Sequence, residues 1–328
     1  MGNMRVESKP LWSIILAGGE GNRTRPFIER WLGRHKPKQY CTFVGNRSML
    51  QHTFDRADRL VRPEHKVTVV GENHREFVNE ALVGDESGHV ILQPRNCGTA
   101  AGVFLPLTYV RAWAPDATVV IFPSDHFVFP EARFIETVRR GIRASHILQD
   151  RLIIFGVRPS HLELEYGWIN VGGVLGRSGG SCVRLAVSFL EKPGPMEGLQ
   201  AMANGALWNT LVIVAKVSTL WKLGWQSLPA IMERFAPLEA RIGTVHEGET
   251  LQEIYQDMPN LDFSRELLQR LPEHLGVMEL EEVLWSDWGK PERIVDTLNT
   301  LGKKPAFPSE ILQRPTAPLH SISHVKVT

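Results

Sequence analysis

Three cysteines in 328 residues, Cys41, Cys97 and Cys182, are too few and too scattered for a disulfide framework, and no C-x-x-C pair offers a thiolate metal site. Their usage suits a reduced, cytoplasmic protein. Net charge is nearly absent: 37 lysines and arginines stand against 36 aspartates and glutamates, a formal +1. That balance argues against a nucleic-acid binder, which carries a basic excess or stripe. No apolar run approaches the length of a bilayer span, and MGNMRVESKP at the start has no apolar signal core, so no membrane segment is expected. The twelve histidines show no H-E-x-x-H or paired-ligand spacing. Two familiar phosphate loops are missing as well. After Gly19 and Gly21, Thr24 stands where a dinucleotide fingerprint needs its third glycine, and no Gly-Lys-Ser/Thr run closes a Walker A loop there.

What is present is concentrated in LWSIILAGGEGNRTRPFIERWLGRHKPKQY, residues 11–40. Residues 11–17 form a short apolar run, broken only by Ser13, that suits a strand buried on both faces. Gly18, Gly19 and Gly21 follow at once, letting the backbone bend and its N–H groups approach something bulky. Arg23, Arg25, Arg34, Lys36 and Lys38 come next, so this loop is read as a site for an anion with several charged oxygens, phosphate first.

The rest alternates strand with helix. Residues 48–60 carry apolar side chains at helical intervals, with Asn46 or Ser48 as the cap. Strands are expected over 65–70, 89–92 and 117–122, and helices over 74–82, 99–113 and 131–148. That order predicts an α/β fold: a Rossmann-like, mostly parallel or mixed sheet covered by helices on both faces. Beyond residue 151 strands dominate, at 152–157, 168–172, 183–190 and 207–215, which is read as continuing the sheet with a β-rich lid. Residues 218–271 are helical in pattern, 275–285 reads as one last strand, and a helix starts at Pro291. The expected division is a tail over 1–10, a domain over 11–301 with halves of about 11–150 and 151–301, and a proline-containing tail over 302–328, poorly ordered or docked. No internal repeat or hexapeptide pattern suggests a β-helix or a second catalytic module.

In such sheets ligands bind beyond the carboxyl ends of the strands, and the loops there hold the unusual residues. Asp125 ends an apolar strand, where it can serve as a Mg²⁺ ligand or as an ordinary turn or cap aspartate. Asp287 precedes the helix at Pro291, as a second metal ligand or as that helix's cap. Gln93 and Gly98 lie in a loop that can meet the edge of a flat base, or Gln93 makes a plain strand-end hydrogen bond. Glu191 and Lys192 close a strand, where they can meet sugar hydroxyls and a phosphate, or form a solvated turn.

These residues carry a family resemblance. Leu16-Ala17-Gly18-Gly19-x-Gly21-x-Arg23, then Pro26 and Pro37-Lys38-Gln39-Tyr40, resembles the signature of sugar-1-phosphate nucleotidylyltransferases, and within them the mannose-1-phosphate guanylyltransferase group. The resemblance extends to Glu165-Tyr166-Gly167-Trp168-Ile169, Phe189-Leu190-Glu191-Lys192-Pro193 and Trp208-Asn209-Thr210. It implies transfer of a nucleotidyl group, from GTP first, to a sugar 1-phosphate, mannose 1-phosphate first. Glucose 1-phosphate with UTP or dTTP, or a non-catalytic sensor of the same fold, is the alternative. It implies that Leu16, Ala17, Gly18, Gly19, Gly21, Gln93, Gly98 and Thr99 bind nucleotide, and that Arg23, Lys38 and Asp125 are catalytic. Tyr166, Gly167, Glu191, Lys192 and Asn209 would hold the sugar phosphate, and Mg²⁺ would sit on Asp125 and Asp287. Two departures stand out. Cys97-Gly98 replace a usual Arg-Asn pair, and Leu211 follows Asn209 where a glycine is common, which would narrow the sugar pocket. No nucleic-acid or membrane partner is expected; a homo-oligomer is compatible with the sequence.

Overall fold

The structure, a computed structural model, describes residues 10–82 and 88–312; the tail expected over 1–10 therefore lies outside it except for Pro10. The first half runs β1 (Leu11–Ala17), α1 (Arg25–Leu32), α2 (Met49–Asp58), β2 (Lys66–Gly71), α3 (Arg75–Leu82) and β3 (His89–Gln93). It continues with α4 (Gly98–Trp113), β4 (Thr118–Pro123), β5 (Phe127–Phe129) and α5 (Glu131–Ile147). The second half holds β6 (Leu152–Val157), β7 (Gly167–Ser178), β8 (Ser181–Glu191), α6 (Pro195–Ala203) and β9 (Leu207–Lys216). After it come α7 (Val217–Ser227), α8 (Pro229–Glu239), α9 (Glu247–Gln256), β10 (Leu275–Glu279), β11 (Leu284–Ser286) and α10 (Pro291–Thr300).

Nine strands form one sheet in the order β3-β2-β1-β4-β9-β6-β10-β8-β7. β1 to β4 pair in parallel, as their continuous apolar runs predict. β9 runs antiparallel to both β4 and β6, and β7 and β8 form an antiparallel hairpin, so the whole sheet is mixed. The β-rich second half thus extends the same sheet. Side chains alternate across it: Trp12 and Ile14 face a core shared with α4, α7 and α8, whereas Ile15 and Ala17 face one shared with α2, α3 and α5. A third, smaller core gathers Phe27, Phe43, Trp288 and Phe307, which docks the start of the C-terminal tail; residues 313–328 lie outside the description. No helix among the described residues is long and apolar enough to cross a membrane.

Two expectations change. The stretch after the glycines is not all loop. α1 occupies Arg25–Leu32, with Pro26 in its first turn and Gly33 left-handed at φ 70° as its stop, a start and stop signal legible in the sequence. The single last strand is instead two. β10 pairs with β6 and β8 in the main sheet, while β11 pairs with β5 in a two-stranded sheet of its own, Ser286 opposite Phe127. Glu281 and Glu282 interrupt the apolar run between them, with Glu282 left-handed at φ 57°. Ser48, rather than Asn46, caps α2, exchanging hydrogen bonds with Gln51 in both directions.

Candidate active site

The carboxyl ends of β1, β3 and β4 border a cavity of about 420 Å³, in the size range of small-molecule sites. Leu16, Gly18, Gly19 and Gly21 form one side, and Gln93, Gly98 and Thr99 another. Asp125 lines it too, and also lines an adjoining depression of about 250 Å³ with Gly21, Arg23, Lys38 and Gly289. The Pro-Lys-Gln-Tyr segment builds this floor. Gln39 donates to the carbonyls of Ala17 and Gly19 at 2.9 and 2.8 Å, bracing the glycine loop from below. At Gly21, φ is +64° and a β-carbon would stand 3.0 Å from the Lys38 backbone nitrogen, so any other residue would be strained and crowded there.

Lys38, buried, joins the two distant aspartates. Its ammonium lies 2.8 Å from Asp125 Oδ2 and also donates to the backbone carbonyl of Asp287. The β5–β11 pairing brings these loops together, because Asp125 lies two residues before β5 and Asp287 follows β11 directly. Burial pushes the Asp125 carboxyl up and Asp287 adds to this, but Lys38 and His126 outweigh both and leave it below the usual range. For Asp287, burial is opposed by Lys38, Arg293, the Gly289 N–H and His126, which hold it well below that range. Both groups are therefore carboxylates at neutral pH.

Their surroundings differ. Asp287 Oδ1 accepts from the Tyr166 hydroxyl at 2.8 Å, the Gly289 N–H at 2.9 Å and Arg293 at 2.6 Å. Oδ2 accepts from Arg23 at 3.1 Å. Arg293, on α10, also pairs with Glu163 and Glu165 and lies 4.7 Å over the Tyr166 ring. Glu165 in turn holds Arg23 at 2.8 Å and Lys290 at 3.0 Å. Asp125, by contrast, is 39% exposed and opens to the cavity.

Mg²⁺ takes oxygen ligands, one or two of them from protein carboxylates, and fills its octahedron with water and phosphate oxygens. The donors here fit that demand: Asp125, whose part-exposed carboxylate lines the cavity while Lys38 holds its Oδ2, and Asp287, whose Oδ2 is held by half-exposed Arg23. Among the described residues no group of three or more His, Cys, Asp or Glu side chains is placed to hold an ion, so a cage made wholly of protein is not formed.

At the far side, register places Gly167 opposite Glu191 and Trp168 opposite Trp208, so the ends of β7, β8 and β9 gather Gly167, Glu191 and Asn209. A β-carbon on Gly167 would stand 3.0 Å from Glu191 Oε2 and 2.8 Å from the Phe189 ring, which keeps this corner open only for glycine. Lys192, left-handed at φ 53°, reaches back to Glu191 at 3.1 Å. Burial raises the Glu191 carboxyl above its usual range; Lys192 opposes this and Asp262 adds to it. Asp262 also lines the larger cavity, whereas Tyr166, Gly167, Glu191, Lys192 and Asn209 are not among its lining residues.

The chain matches the Nucleotidyl transferase family over residues 12–304. It belongs to that family. A mannose-1-phosphate guanylyltransferase of Escherichia coli is 32% identical over 191 residues, covering 57% of this chain and 39% of its own length. The xanthan biosynthesis protein XanB of Xanthomonas campestris pv. campestris (strain B100) is 29% identical over 208 residues, covering 62% and 42%. The chain thus spans about two fifths of the length of these curated relatives. The mannose-1-phosphate geranyltransferase of Thermus thermophilus shares the fold, with a TM-score of 0.72 at 24% identity over 88% of this chain and 79% of that one.

Within this nucleotidyl transferase several expected site residues spend their polar atoms on the scaffold. Tyr166 gives its hydroxyl to Asp287 and so orients that carboxylate. Thr99 accepts the Phe263 N–H at 2.8 Å, and Asn209 accepts that of Leu211 at 3.1 Å. Gln93 donates to the Arg95 carbonyl at 2.7 Å, the strand-end bond weighed from sequence, yet its side chain still borders the cavity beside Gly18. Arg95 points away and binds the carbonyls of Tyr255, Gln256 and Met258 at the end of α9. Gly98, at φ +81°, lets residues 260–262 close over its loop, since a β-carbon would stand 2.4 Å from the Leu261 carbonyl. Sequence reasoning missed Glu163, Glu165, Lys290 and Arg293, and also Asn260 and Asp262 in the cavity wall. Two of them left a trace: Glu165 opens the Glu165-Tyr166-Gly167 element without a role assigned to it, and Arg293 lies six residues after Asp287, within the first turn of α10.

Proposed function

We propose that this chain transfers a nucleotidyl group from GTP to mannose 1-phosphate by in-line displacement, giving a nucleotide-sugar and pyrophosphate. The supporting observation is the bridge that Lys38 makes between the Asp125 and Asp287 loops at the rim of a glycine-walled cavity. The attacking oxygen needs no general base, because the second pKa of a phosphate monoester lies near 6. Catalysis then consists of positioning and neutralising charge.

In this reading Leu16, Ala17, Gly18, Gly19 and Gly21 hold the triphosphate with backbone N–H groups, and Gln93, Gly98 and Thr99 border the base. Lys38 bridges toward the α-phosphate. Arg23, half-exposed on its loop, leaves Glu165 and Asp287 to meet the departing pyrophosphate. Asp125 and Asp287 would hold Mg²⁺, which when bound would supply further charge neutralisation. Glu191, Lys192, Gly167 and Asn209, beside Tyr166, receive the sugar phosphate, so residues 11–150 serve the nucleotide and 151–301 the sugar. A panel of GTP, UTP and dTTP against mannose 1-phosphate and glucose 1-phosphate, with pyrophosphate measured, tests this. Fastest release with GTP and mannose 1-phosphate is expected. Preference for UTP or dTTP with glucose 1-phosphate replaces the substrates, and tight triphosphate binding without turnover replaces the enzyme with a sensor.

A further inference from the structure

Resting on the nucleotidyl-transfer reading, we propose that Leu211 sets the size of the sugar ring's site, admitting bare hexose 1-phosphates and rejecting those with a bulky substituent on the ring.

The observation is a backbone one. Leu211 sits at φ 56°, in the left-handed region where a branched side chain is strained and glycine is not. It lies in an irregular stretch of β9: while β6 advances from Ile154 to Gly156, β9 runs from Ile213 back to Asn209. Such bulges beside active sites re-aim a side chain. Here the Asn209 amide oxygen accepts the Leu211 N–H at 3.1 Å and Thr210 bonds the Phe155 carbonyl at 2.7 Å, which fixes the bulge from both sides.

Leu211 lines the main cavity with Asp125 and Asp262. Asn209, which accepts the Leu211 N–H, is one of the residues assigned to the sugar phosphate, so Leu211 stands where the nucleotide cavity meets that corner. Part of the Leu211 side chain also packs against the core around α4. That contact is the competing explanation for keeping a strained leucine.

The two part under substitution. kcat/KM is measured for mannose 1-phosphate and for a 2-acetamido-2-deoxyhexose 1-phosphate with the wild-type chain, L211G and L211N, alongside thermal unfolding. L211G is expected to shift the ratio toward the acetamido sugar by about tenfold or more, the scale of a hydrophobic-pocket size change. Asparagine tolerates this backbone and keeps similar bulk, so L211N is expected to hold the wild-type ratio. If L211G does not fold, L211A stands in with the same expected shift. An unchanged ratio in L211G or L211A, with both sugars slowed alike and a lower unfolding midpoint, assigns Leu211 to the core and overturns the proposal. Equal shifts in L211G and L211N overturn it too, since bulk is then not the cause. Wild type without turnover on either sugar removes the nucleotidyl-transfer reading and this inference with it.

Discussion

Arg293→Met should cost both stability and metal affinity, for one structural reason. The Arg293 side chain is 13% exposed, and its guanidinium satisfies Asp287 at 2.6 Å and Glu165 at 3.2 Å, together with Glu163. Methionine keeps much of the aliphatic stem's packing but strands these carboxylates. Removing one partner of a buried pair costs about 3–5 kcal/mol. Asp287 still has the Tyr166 hydroxyl, the Gly289 N–H and Arg23, so the low end applies. At roughly 2 °C per kcal/mol for a chain of this size, the unfolding midpoint should fall by about 6 °C. The cause is isolated by a double-mutant cycle with Asp287→Asn, read by denaturant unfolding. Asp287→Asn should cost about 2 kcal/mol less in the Arg293→Met background than in wild type. A second readout follows from orientation. With Oδ1 held, Oδ2 is the oxygen left to face an ion, so Arg293→Met should raise the Mg²⁺ concentration for half-maximal activity about tenfold or more, the usual cost of losing such support. Additivity within about 0.5 kcal/mol, or an unchanged Mg²⁺ requirement, would refute the account.

Asp125→Asn should slow pyrophosphate release about a hundredfold or more and also lower the unfolding midpoint by a few degrees, because it removes the carboxylate partner of buried Lys38. Full activity would remove Asp125 from the chemistry. Arg23→Ala should slow turnover on a similar scale yet shift the midpoint by less than about 2 °C, since exposed ion pairs contribute about 0–1 kcal/mol; a large stability loss with normal turnover would make Arg23 a scaffold residue. Glu191 has its pKa raised in the folded state, chiefly by burial, so its ionised form costs stability at neutral pH and that cost fades as pH falls toward the unfolded value of about 4.3. Glu191→Gln should therefore melt above wild type at pH 7, with the gap closing by about pH 4; a lower midpoint at pH 7 would contradict the sign.

The parts visible in the sequence were those whose cause is local. β1, β4 and β6 are continuous apolar runs, and the glycines after β1 announce a loop that needs open space. Asp125 and Asp287 could be placed at strand ends by the same logic. The rest depends on contacts between distant segments. Glu163 carries no signal in the sequence and Glu165 appears only as the first residue of a motif; their role depends on α10 bringing Arg293 against them across the fold. β5 and β11 are three residues each, too short to show a period, and exist because they find each other. Tyr166 reads as a sugar contact by motif, and only packing reveals that its hydroxyl is turned toward Asp287.

That short β5–β11 ladder has a consequence for how the protein matures. Its later strand, Leu284–Ser286, leaves the ribosome long after Phe127–Phe129, and Asp287 follows it immediately. A nascent chain can finish the parallel strands and their glycine loop well before Asp287 arrives; on the proposed reading, partly made molecules would lack one of the two carboxylates. The rim that Lys38 spans between the Asp125 and Asp287 loops is complete only when this later segment has folded back beside Phe127.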